Sequence, residues 1–116
     1  MVLRIDKERK MKVTKAISLA RRARKNIEVA LTFCATPILH EIHYTPKAFI
    51  GNADINAAIA DMAVAIKRGM SVAQATEQAI RRLFELADWR ACDYAYNEGI
   101  EVSAIADPDV KWGQII

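Results

Sequence analysis

The clearest pattern in the chain runs from Asn52 to Gly99. Ile55, Ile59, Met62 and Ile66 recur at helical spacing, with Ala58 and Ala63 beside them. The spacing predicts a helix that starts at Asn52 or Asp54, either able to cap free amides, and ends with Lys67-Arg68 before Gly69. Ser71 starts a second helix, with Gln74 three residues on as in a capping box. Its stripe is Val72, Ala75, Ala79, Leu83, Leu86 or Ala87, Ala91 and Tyr94, and it runs unbroken from about Val72 to Asn97. The tight Gly69 link makes the two helices neighbours. The many alanines on both stripes call for close approach. A Gly-x-Ser link also invites a helix-turn-helix reading. That unit needs a short second helix, and the helix after Ser71 is far too long.

Upstream, the opening residues 2–5 read as a short strand. Asp6 can cap a helix from about Lys7 to Lys25, with Met11, Val13, Ala16, Ile17, Ala20 and Ala23 on its apolar face and Asn26 at its end. Ile27, Val29, Leu31 and Phe33 then alternate with Glu28, Ala30, Thr32 and Cys34. That is period two with branched and aromatic side chains, so a strand is expected. The competing reading continues the first helix, because Ala16, Ala20, Ala23, Ile27, Ala30 and Cys34 also share a helical stripe. Thr36-Pro37 is a turn signal, and Ile38 to Tyr44 reads as the second strand of a β-hairpin. Residues 100–105 read as a third strand. Asp107-Pro108 then breaks the chain before a short tail. The expected fold is a single α+β domain over residues 1–116: basic N-terminal helix, β-hairpin, helical pair and third strand. An all-α fold is the alternative.

Composition narrows the function classes. Hydrophobic residues make up 53% of the chain, enough for a core, while 4 glycines and 3 prolines argue against low complexity. No apolar run is long enough to span a membrane, and the charged N-terminus does not resemble a secretory signal. A cytoplasmic site, in a cell or an infected host, is therefore expected. Cys34 and Cys92 do not make a disulfide framework and read as two buried thiols.

Charge is distributed unevenly. Ten basic and two acidic side chains in residues 1–25 give +8, while the remaining 91 residues carry seven basic and twelve acidic, giving −5. The basic end therefore calls for an anionic partner. Lys7, Lys10, Lys15, Arg21, Arg22, Arg24 and Lys25 are the candidate contacts. Arg81, Arg82, Trp89 and Tyr96 form a candidate secondary patch, since arginine and aromatic groups stack on bases or anchor protein interfaces. Trp89 and Tyr96 lie off the core stripe and also suit a homodimer surface.

Catalytic and metal patterns are weaker. His40 and His43 bracket Glu41-Ile42, one residue short of His-Glu-x-x-His, and on a strand they point to opposite faces. No metal is expected there. Asp54 with Asp61, and Asp88 with Asp93, read as surface decoration rather than a magnesium pair. No Gly-rich phosphate loop and no nucleophile–base pair is present, so no cofactor and no enzymatic activity are expected. The leading expectation is a non-enzymatic nucleic-acid-binding accessory or regulatory protein. The alternative is a small protein-binding inhibitor or adaptor, of the kind phages and mobile elements carry, that meets an acidic or nucleic-acid-binding surface of its target.

Overall fold

A computed structural model describes residues 12–102. These residues contain helices and no strand. Helix α1 spans Val13–Arg22, α2 Arg24–Phe33, α3 Pro37–Glu41, α4 Asn52–Lys67 and α5 Val72–Asn97; a 3-10 turn over Pro46–Phe49 precedes α4. The expected α+β fold is thus overturned in favour of an all-helical one.

The helical pair α4–α5 is the frame. Asp54 caps α4 from its third position, accepting from the Gly51 N–H at 2.8 Å. Gly69, at φ +110°, closes the helix. Its N–H donates to the Ile66 carbonyl and that of Met70 to the Ala65 carbonyl, both at 3.0 Å, the paired bonds of a left-handed helix end. The Ser71 hydroxyl accepts from the Gln74 N–H at 3.1 Å and starts α5. The helix then runs without a break to Asn97, as its spacing predicts. Ile55, Ile59, Met62 and Ile66 of α4 are buried, as are Ala75, Ala79, Leu83, Ala87 and Ala91 of α5. Phe84, Asp88 and Ala95 join them; they widen the buried face beyond the expected stripe.

The first correction falls on residues 27–34. They form α2, not a strand. Period two would put Ile27, Val29, Leu31 and Phe33 on one face. The structure splits them: Ile27 and Leu31 are fully buried, while Val29 is 47% and Phe33 80% exposed. Burial at i and i+4 extends the stripe of Ala16, Ala20 and Ala23, so the helical alternative holds, with a bend at Ala23. Asn26 lies inside α2 and ends nothing.

The second correction falls on the hairpin. Pro37 opens α3, where its missing N–H is harmless. His43 then takes φ 62° and ends α3 in the same way as Gly69 ends α4, with the Tyr44 N–H on the Leu39 carbonyl at 3.0 Å. Ile38, Leu39 and Ile42 are buried, so alternation along this segment is lost. Residues 100–102 hold no strand either. The expected opening strand at residues 2–5, residues 103–105 of the expected third strand, and the first part of the basic helix lie outside the described residues.

Helix α1 packs mainly on α4. The junction of α1 and α2 is tied there by Arg24, the first residue of α2, whose guanidinium donates to Asn56 Oδ1 at 2.7 Å and Asn52 Oδ1 at 3.2 Å, and to Glu28 Oε1 at 3.0 Å. Arg90 of α5 ties the other side. It donates to both carboxylate oxygens of Asp54, at 2.7 and 3.0 Å, and to the Phe49 carbonyl at 2.6 Å. The fork geometry of the guanidinium fixes the loop before α4 to α5.

Candidate functional site

The face of α1 turned away from α4 carries the site. Ala16, Ala20 and Ala23 fill one side and are buried. Lys12, Thr14, Lys15, Ser18, Arg21 and Arg22 are exposed, and Lys25 continues the exposed surface onto α2. Lys15, Ser18 and Arg22 follow at helical spacing and share one line; Thr14 and Arg21 flank it. Hydroxyls thus alternate with cations along the helix. The alanine side lets this helix lie close on α4. None of Lys12, Lys15, Arg21, Arg22 and Lys25 has an ion-pair partner among the described residues.

The other expected contacts fall differently. Lys7 and Lys10 lie outside the described residues. Arg24 is held by Glu28, Asn52 and Asn56, and so fastens α1 and α2 to α4 rather than facing solvent freely. Arg81 pairs with Glu77 at 3.4 Å, an exposed contact of little energetic weight. Arg82 is exposed on α5. Trp89 is 67% and Tyr96 87% exposed, so neither packs under another element among the described residues. Tyr94 instead joins Tyr44 and Phe49 in an edge-on trio with ring centroids 5.5–5.8 Å apart. The basic face of α1 and the aromatics near the end of α5 are separate features, and no described contact joins them.

His40 lies on α3 and His43 on the turn after it, both exposed. No group of three histidine, cysteine or acidic side chains gathers among the described residues. Cys34 and Cys92 are free and only partly buried, where two buried thiols were expected. Burial and the nearby Asp88 and Asp93 carboxylates raise the Cys92 pKa, which keeps it a thiol.

One buried polar contact was missed from the sequence. Asp88, which reads as surface decoration, is 1% exposed. Its Oδ1 accepts from the buried Thr36 hydroxyl, and its Oδ2 has no partner among the described residues. Desolvation raises its pKa from 3.8 to about 6, against the opposing pull of the Thr36 bond. The available signal was its spacing from Ala91 and Ala95, which places residue 88 on the buried side of α5.

Comparison with family models, with curated proteins and with solved structures finds no match for the chain. Among the described residues, no helix is long and apolar enough to cross a membrane.

Proposed function

We propose that the chain is a non-enzymatic nucleic-acid-binding protein, acting in the cytoplasm of a cell or an infected host, that holds backbone phosphate on the outer face of α1. The observation that carries the reading is the row Lys15, Arg21, Arg22 and Lys25, exposed and without ion-pair partners among the described residues, interleaved with Thr14 and Ser18. Cations and hydroxyls on one helix face match phosphate oxygens and carry no base-reading geometry. Affinity should therefore be insensitive to sequence and strongly sensitive to salt.

The test is a salt titration of binding to labelled duplex DNA and to RNA. On duplex DNA the log–log slope should be about −0.9 per phosphate neutralised. Replacing Arg21, Arg22 and Lys25 by glutamine should weaken binding alike for all sequences and flatten that slope by about two to three units. The melting temperature should stay put, because none of the three is buried or bonded to another element. No binding to either nucleic acid at about 50 mM salt, where attraction is strongest, sinks the reading. An acidic protein surface is the second reading, favoured by the exposed Trp89 and Tyr96, since such aromatics anchor protein interfaces. The same triple substitution would then abolish capture of that protein while DNA binding is absent throughout.

A further inference from the structure

Helix α4 is apolar on more sides than the chain covers. From Ile55 to Ile66 it bears a single charge, Asp61. Ala57, Ala60 and Val64 are exposed, Val64 by 49%, although α1 and α5 already pack on the helix. A helix that is apolar nearly all round belongs inside a larger core. Ala57 and Val64 of this uncovered side line a groove of about 780 Å³ between α4 and α5. Its floor and walls include Ala57, Ala58, Ala65, Ala75, Ala79 and Leu83; Asp61 lines it from α4 and Arg82 from α5, with Arg68 at the Gly69 end. Neither Asp61 nor Arg82 has an ion-pair partner among the described residues. Asp54, the other acid of the groove, is already held by Arg90.

We infer that a second copy of this chain covers the groove, so that two α4–α5 pairs form an antiparallel four-helix bundle. Charge chooses both the occupant and the symmetry. The Gly69 link at one end and the Asp54–Arg90 pair at the other fix the relative heights of the two helices, and interpolation puts Asp61 within one helical turn of Arg82, inside the reach of an arginine side chain. A two-fold axis along the helices lays α4 of one copy over α5 of the other at unchanged height. Asp61 then meets Arg82 of the other copy, and the pair occurs twice. All neighbouring helices in this arrangement are antiparallel, which also suits their dipoles. A two-fold axis across the helices would instead lay α4 on α4 and bring the two Asp61 carboxylates together near the middle. The alanines let the backbones approach closely, as such a bundle requires.

Sedimentation of the full chain over a range of concentrations is the test. A monomer–dimer equilibrium is expected. Asp61→Arg alone and Arg82→Asp alone should each weaken dimerisation by about tenfold or more, because each sets like charges against each other twice. The double reversal should restore it to within about threefold of the native chain, since it recreates both pairs. Val64→Lys, at a half-exposed site, should leave the monomer's melting curve intact and abolish the dimer. A chain that stays monomeric at about 0.5 mM, weaker than any useful self-association, overturns the inference. So does a dimer that ignores Val64→Lys, or a double reversal that restores nothing. These readouts are independent of phosphate binding on α1, so either proposal can fail alone.

Discussion

At the scale of single residues, Asp88 is the position where the chain departs most from a simple core. A carboxylate sits fully buried with one oxygen on Thr36 and the other unpartnered among the described residues. Burial favours its protonated form, hence the rise from 3.8 to about 6. Between pH 4 and 6 the folded chain holds a proton that the unfolded chain has released, so stability falls as pH rises through that window. A shift of this size corresponds to about 2–3 kcal/mol. Asp88→Asn keeps an acceptor for Thr36 and removes the charge. Relative to the native chain it should therefore gain stability progressively from pH 4 to pH 7, by up to about 2–3 kcal/mol. Denaturant titrations at both pH values check this; a constant difference between the two proteins would show that the carboxylate is already neutral or solvated. Asp54 works in the opposite sense and in another window. Arg90 and the Gly51 amide lower its pKa, so its contribution is present above the ordinary carboxylate range and is lost on acidification below it. The two residues can thus be separated by pH alone.

At the scale of elements, α2 carries the argument. Its sequence supports both periods: Ile27, Val29, Leu31 and Phe33 alternate, and Ala16, Ala20, Ala23 and Ile27 form a helical stripe. Local preference for β-branched residues cannot decide such a segment, because it is weaker than what packing against α5 contributes. The fold chooses the period that buries Ile27 and Leu31 together. Leu31→Ala should cost about 2–5 kcal/mol, while Val29→Ala, on the exposed side, should cost less than about 0.5 kcal/mol. Chemical denaturation of the two variants decides it; similar losses at both positions would restore a strand-like face. Elements were legible in the sequence where each residue carries one structural meaning. The link from α4 to α5 is written in residues with single meanings: glycine for a left-handed helix end, serine for a helix start, isoleucine at strict intervals. Pro37 and Pro46 have two meanings, since each ends a strand and each also begins a helix. His43 in the left-handed region has no sequence signal of its own. The exposed cations of α1 needed only composition and helical spacing, but the engagement of Arg24 depends on Asn52 and Asn56, which meet it only in the folded chain.

At the scale of the whole molecule, the question is whether net charge or its placement governs binding. The chain carries +3, a modest surplus that would attract any polyanion weakly. A general field of that kind acts over about a Debye length and is blind to which cation is removed. A localised phosphate site is not blind, because counterions are released only where phosphates are contacted. Two triple variants with the same net charge separate the cases. One removes Arg21, Arg22 and Lys25 from the α1–α2 face. The other removes Lys47, Lys67 and Arg81, which are exposed on the 3-10 turn, at the end of α4 and on α5. With glutamine in all three places, the first should flatten the salt slope by about two to three units and the second by less than about one. Equal losses would mean that the protein attracts nucleic acid only through its overall charge, and the assignment of a site to α1 would fall even though binding itself had been observed.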